Sequence, residues 1–208
     1  MAVDTAIEVD AAQQYVSRGG EKLAGALDDF GVDPSGRVCL DVGSSTGGFT
    51  DCLLQRGASR VYALDVGRGQ LAESLRQDAR VVSMERTHAA RLEPGGEDAV
   101  VLPEPPSLVV ADVSFISLTR LLRGMAAQIL PGGDILPMVK AQFELSPREV
   151  PRGVVHDPDA RARAVARVRA HAESLGLECL AETESLLVGP SGNHEFFLHL
   201  RAPGGAAV

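Results

Sequence analysis

The sequence predicts one α/β domain built on a mostly parallel sheet, and three observations carry that prediction. Five short apolar runs lie between residues 38 and 140, separated by helix-patterned or turn-rich segments. The first run, Val38 to Val42, ends in a glycine-rich turn, Gly43 to Gly48, that opens a helix. The runs at 107–113 and 134–139 are nearly continuous in apolar residues, as strands covered on both faces must be.

Composition narrows the class. The chain has 208 residues, 45% of them hydrophobic and 23% charged, enough for one α/β domain with a full core. No apolar run approaches the ~18 residues of a membrane span. Residues 1–14 are acidic and Ala-rich, lack the marks of a secretion signal, and read as a disordered tail. Residues 202–208 read as a second tail, leaving 15–201 as the domain. Cys39, Cys52 and Cys179 sit in apolar stretches without metal-ligand spacing, so they read as reduced core residues of a cytoplasmic protein and no metal is expected. The net charge of −8 argues against a broad nucleic-acid-binding surface. Of the 20 basic residues only Lys22 and Lys140 are lysine. In so arginine-biased a chain, these two positions point to a compact ammonium that can release its proton when buried, which guanidinium cannot do.

The elements follow in order. Glu21–Phe30 is predicted as a helix closed by Gly31, with Leu23, Ala26, Leu27 and Phe30 as its apolar stripe. Lys22 lies off that stripe and faces solvent or a neighbouring cleft. After the first strand and its glycine turn, a helix runs to about Gln55. Arg60–Val66 is the second strand, with Asp65 near its end, 24 positions after Asp41. An acid about 20 residues beyond a glycine loop suits the two ribose hydroxyls of a nucleoside. A helix is expected over Gln70–Gln77 and a third strand over Val81–Glu85. Residues 93–106 read as an exposed loop. Ser107–Val113 is the fourth strand, interrupted by Asp112, a carboxylate that is costly there unless paired or at work. Leu118–Leu130 is a helix, and Asp134–Val139 is the fifth strand with Lys140 as its last residue. Leu145–His156 reads as a mobile loop. Asp157 and Pro158 start a helix to about Leu175, with Arg161, Arg163, Arg167 and Arg169 on a solvated face. Leu177–Leu187 and Glu195–Arg201 form a closing antiparallel hairpin around Gly189–Asn193.

Lys22, Asp112, Lys140 and Glu195 form a candidate constellation. Two ammoniums alternating with two carboxylates offset each other's burial, and a lysine in such surroundings can act as a general base.

Five motifs give the chain a family likeness: Tyr15–Lys22, Asp41–Phe49, Ala111–Leu118, Val139–Glu144 and Gly189–Glu195. In these the sequence resembles the TlyA (hemolysin A) family, whose members carry an FtsJ-like methyltransferase domain. The likeness covers roughly residues 15–201. It implies a Rossmann-like sheet of seven strands in the order 3-2-1-4-5-7-6, the last antiparallel, and S-adenosylmethionine as cofactor. It also implies 2′-O-ribose methylation of ribosomal RNA by a Lys-Asp-Lys-Glu tetrad, which maps onto Lys22, Asp112, Lys140 and Glu195. The cofactor is then expected against Asp41, Gly43, Ser44, Ser45, Thr46, Gly47, Gly48 and Phe49 at its methionine half. Asp65 and Val66 would hold its ribose, and Glu85, Arg86, Thr87 and Asp112 would border its adenine and reacting end. The sequence departs from the family pattern in five respects, two of them Arg68 in place of tyrosine and His88 in place of asparagine. Only about 14 residues stand where a small RNA-binding domain is usual. Ala141 follows Lys140 in place of proline. Ser146–Arg152 replaces a glycine-rich stretch. These departures keep a small-molecule acceptor open beside ribosomal RNA. No amphipathic or spanning segment suggests a pore.

Overall fold

A computed structural model describes residues 14–96 and 98–205. The expected tails at 1–14 and 202–208 fall largely outside these residues. Ala202 is buried and donates its N–H to Gly133 O, which ties the chain end to the sheet.

Seven strands form one sheet in the order β3-β2-β1-β4-β5-β7-β6, the order implied by the family likeness. They are β1 (Val38–Val42), β2 (Arg60–Leu64), β3 (Val81–Met84), β4 (Leu108–Ala111), β5 (Asp134–Lys140), β6 (Glu178–Glu184) and β7 (Glu195–Arg201). The first five pair in parallel, and β7 runs antiparallel between β5 and β6. The helices are α1 (Arg18–Phe30), α2 (Gly48–Gln55), α3 (Glu73–Arg76), α4 (Leu122–Gln128), α5 (Ala141–Glu144) and α6 (Pro158–Ser174).

Strand alternation divides the core in two. Cys39, Val61, Ala63, Val110, Leu136 and Phe197 face α1 and α2. Leu40, Val42, Leu64, Val109, Ala111 and Leu198 face α4 and α6. The three thiols are free, and burial pushes those of Cys39 and Cys52 up to about 12 and about 11. Helix α1 starts three residues earlier than expected and ends at Gly31, whose φ of 63° lets its N–H reach the carbonyls of Asp28 and Leu27.

Several expected elements are shorter. The helix predicted over Gln70–Gln77 reduces to the single turn of α3. Leu71 and Leu75 pack on the glycine loop at Gly47, and Ala72 stays extended to donate its N–H to Thr46 O. The helix predicted over Leu118–Leu130 opens as a 3₁₀ turn, Leu118–Arg120, before α4. Gly124 then lies against the backbone of Leu92 and Glu93, too close for any side chain. Strands β2 and β4 stop before Asp65 and Asp112, so both carboxylates stand just beyond the sheet. The 145–156 segment is folded rather than irregular. It makes two 3₁₀ turns, Pro147–Glu149 and Pro151–Gly153, the first closed by a capping box between Ser146 and Glu149.

At the edge where the parallel strands begin, Asp134 gathers three basic groups. Its Oδ1 accepts from His199 Nε2 at 2.8 Å and from Arg201 at 2.7 Å, and its Oδ2 accepts from Arg37 at 2.9 Å. Burial alone would raise this carboxyl, but the three hydrogen bonds outweigh it and hold the group well below the usual carboxylate range. A depressed folded-state pKa adds stability that is present above about pH 4 and is lost as pH falls through the folded value. Denaturant unfolding at neutral pH should show Asp134→Ala destabilised by roughly 2–3 kcal/mol, the range for losing charged hydrogen bonds. Its stability should also fall less steeply below pH 4 than that of the parent.

Candidate functional site

The site is built on the loops that leave the C-terminal edge of the parallel strands, where open α/β sheets bind ligands. Asp41 points from β1 towards α2 and is wholly buried. Its Oδ2 accepts from Thr50 Oγ1 at 2.7 Å, and its Oδ1 has no hydrogen-bond partner. Burial raises its carboxyl to about 7; the Thr50 hydrogen bond opposes the rise and the Asp112 charge adds to it. Above it Gly43, at φ 86°, passes so close to the Asp112 carbonyl that a Cβ would collide with it. The loop therefore passes Asp112 at a point where only glycine fits.

The four charged residues meet beside this loop. Lys140 and Glu195 are register partners across β5 and β7. Lys22, from α1, donates to Glu195 Oε2 at 2.5 Å, and both side chains are nearly closed to solvent. Lys140 Nζ forms an ion pair with Asp112 Oδ1 at 2.5 Å and donates a hydrogen bond to Ser114 Oγ at 3.0 Å. All four line one cavity of about 520 Å³, together with Arg18, Ser44, Thr46, Phe49 and Pro190. Lys22 thus takes the cleft, not solvent.

Three supports hold this arrangement. Glu144, in the turn after Lys140, accepts from Ser117 Oγ at 2.5 Å and from Leu118 N at 2.7 Å, tying the loop after β5 to the loop after β4. Burial raises the Glu144 carboxyl, against those two hydrogen bonds. Asn193 Oδ1 accepts from Val155 N, and its Nδ2 donates to Gly153 O, pinning the 145–156 segment to the hairpin. Gly189 leaves room for Glu195, whose Oε1 a Cβ would meet.

A second cavity of about 340 Å³ adjoins the first and shares Gly43, Ser45, Asp112 and Ser114 with it. Its walls are mostly apolar: Leu64, Val66, Val113, Ile116 and Leu121. Asp65 stands at its rim. Its Oδ2 accepts from Ser45 N at 2.9 Å and its Oδ1 from Gly67 N at 2.6 Å, which fixes the carboxylate while leaving lone pairs towards the cavity.

The structure brings most of the expected residues together. Gly43, Ser44, Ser45, Thr46, Gly48 and Phe49 line the first cavity; Asp65, Val66 and Thr87 line the second; Asp112 lines both. Asp41 and Gly47 support the loop from behind. Glu85 and Arg86 stand off the cavity walls. The Glu85 carboxylate accepts from Gly69 N at 2.7 Å, and Arg86 is exposed. The sequence reading missed Ser17 and Gly19 at the start of α1, and Ser114 and Phe115 after Asp112. Both sets fall inside the Tyr15–Lys22 and Ala111–Leu118 motifs, which was the available signal. Phe115 has a φ of 66°, is 92% exposed, and pairs with the Phe143 ring at a centroid distance of 5.3 Å.

These residues fit S-adenosylmethionine. The two joined cavities match its polar amino-acid half and its flatter nucleoside half. The backbone cradle at Gly43 excludes any side chain, and an orphaned Asp41 oxygen is buried close to the same loop.

Comparison with known proteins agrees with this geometry. The model of the FtsJ-like methyltransferase family matches residues 15–202. The chain is 50% identical to the 16S/23S rRNA (cytidine-2′-O)-methyltransferase TlyA of Mycobacterium tuberculosis, over 94% of this chain and 71% of that protein. It is 39% identical to hemolysin A of Brachyspira hyodysenteriae, over 93% of this chain and 79% of the relative. A solved structure from Streptococcus thermophilus, described as a hemolysin, superposes with a TM-score of 0.87 at 38% identity, covering 96% of this chain and 72% of that one. Fold, tetrad geometry and relatives converge: the chain belongs to the FtsJ-like methyltransferase family, among its TlyA and hemolysin A members.

Proposed function

We propose that this protein methylates the 2′-hydroxyl of a ribose in ribosomal RNA, with S-adenosylmethionine as methyl donor. The observation that carries the reading is the closed Lys22–Glu195 and Asp112–Lys140 pairing beside the glycine loop, in a chain whose relative at 50% identity is named for rRNA cytidine-2′-O methylation. That kinship weighs against the small-molecule acceptor left open by the sequence. No helix among the described residues is long and apolar enough to cross a membrane.

The loop Gly43–Phe49 would hold the amino-acid half of the cofactor, and Asp65, Val66 and Thr87 its nucleoside half. When bound, the cofactor supplies an electrophilic methyl carbon on a sulfonium. A ribose hydroxyl is a very weak acid, so its proton must be taken by a nearby base and its developing charge must be offset. Lys140 fills the role of base, with Asp112 and Ser114 fixing the direction of its amine. The Lys22–Glu195 pair positions the hydroxyl and balances the charge of the group.

Calorimetric titration with S-adenosylhomocysteine should give micromolar binding to the wild-type protein and none detectable for Asp65→Ala. Ribosomal RNA incubated with labelled S-adenosylmethionine and digested to nucleosides should yield a 2′-O-methylated nucleoside by mass spectrometry. No incorporation into any rRNA would overturn the reading. Lys140→Arg keeps the charge but cannot release its proton. It should bind S-adenosylhomocysteine normally while losing turnover by about 10²-fold or more, the scale of a lost general base. Lys22→Arg should lose less, because its role needs charge and position only. Wild-type turnover in Lys140→Arg would remove Lys140 as the base.

A further inference from the structure

Nine of the arginines of this chain lie on the loops or strand ends at the two edges of the sheet, and the two edges treat them differently. At the edge where the strands begin, each arginine has a carboxylate: Arg60 pairs with Glu104, Arg80 with Asp78, and Arg37 and Arg201 with Asp134. At the opposite edge, Arg68 follows β2, Arg86 follows β3, Arg120 follows β4, and Arg148 and Arg152 follow β5. All five are exposed, and none of their guanidinium groups makes a hydrogen bond or ion pair to any described residue. A protein with a formal charge of −8 thus leaves uncompensated positive charge around the mouth of its site.

Backbone conformation marks the same edge independently. Among the described residues, four non-glycine residues have a left-handed φ: Ser45 at 48°, Arg86 at 56°, Phe115 at 66° and Arg152 at 56°. All four lie on loops at the site edge, and two belong to the arginine set. Such conformations persist only where the surroundings impose them. Around Arg152 those surroundings are visible: the Ser146–Glu149 capping box, the Arg163–Glu149 ion pair, and the Asn193 hydrogen bonds to Gly153 and Val155. The segment is anchored through its other polar groups while Arg148 and Arg152 project outward.

We infer that these five arginines form a phosphate-binding rim that lays an RNA backbone across the cleft, with Arg148 and Arg152 on the acceptor side beside Phe115 and Phe143. The inference rests on the rRNA reading above and deepens it. Guanidinium matches phosphate through two parallel hydrogen bonds, and a rim of single charges on separate loops suits a chain of evenly spaced phosphates. The net charge of −8 is a sum over the whole chain and does not set the local charge at these five positions, whose guanidinium groups no described carboxylate neutralises.

The test uses fragmented 16S and 23S rRNA as probe and measures binding against salt. Each phosphate contact to a single strand contributes about 0.7 to the slope of log K against log salt. Arg148→Gln/Arg152→Gln should therefore lower the slope by about 1.4, and Arg68→Gln/Arg120→Gln by a similar amount, across fragments of unrelated sequence. Arg60→Gln/Arg80→Gln removes the same charge from the far edge and should leave the slope unchanged. Titration with S-adenosylhomocysteine checks that each variant is folded. A wild-type slope in both rim variants would overturn the rim while leaving the rRNA reading intact. Equal losses in rim and far-edge variants would also overturn it, by reducing the effect to net charge. A wild-type protein that neither binds nor methylates rRNA would overturn the reading beneath it.

Discussion

The ammonium of Lys22 and the carboxylate of Glu195, 173 residues apart in the chain, meet at 2.5 Å in surroundings almost closed to water. Much of the site depends on that contact. It seats the first helix against the last strand of the chain and closes the cleft on the side where the sheet turns antiparallel. Removing either partner would bury an uncompensated charge, which costs far more than the pair itself contributes. An apolar pair of the same volume would serve folding at least as well. The charges therefore have their best explanation in chemistry, as neighbours that balance Asp112 and Lys140.

Stability and chemistry occupy opposite edges of one sheet. Asp134, His199, Arg37 and Arg201 are mutually satisfied at the edge where the strands begin. At the other edge lie the orphaned Asp41 oxygen, the exposed Phe115 ring and the left-handed backbone of Ser45, Arg86 and Arg152. Unsatisfied and strained groups are tolerated there because the far edge and both core layers hold the strands in place.

The segment 145–156 shows how a stretch that reads as a loop can be held in place by local hydrogen bonds. It carries Pro147, Pro151, Arg148, Arg152 and Glu149. A capping box between Ser146 and Glu149 closes its first turn, and two hydrogen bonds with Asn193 hold it to the hairpin. The net charge misleads for a related reason. A sum of −8 says nothing of position: Arg37, Arg60, Arg80 and Arg201 are paired at one edge, while Arg68, Arg86, Arg120, Arg148 and Arg152 stand unpaired among the described residues at the other.

The sequence by itself determined the strand runs of the parallel sheet and the glycine turn at Gly43–Gly48, and its family likeness gave the strand order. Those features depend on apolar runs, on glycines that no other residue replaces, and on motifs kept in chain order. Element ends, the single turn of α3, and the split between Leu118–Arg120 and α4 were decided by tertiary contacts: Leu71 and Leu75 on Gly47, and Gly124 on Leu92. Only the folded chain shows that Lys140 and Glu195 share a register, that Glu85 and Arg86 stand off the cavity, and that Ser114 and Phe115 belong to it. The physical reason is that local pattern sets which face of an element is apolar, whereas a site is assembled from loop ends whose positions depend on how distant strands pair.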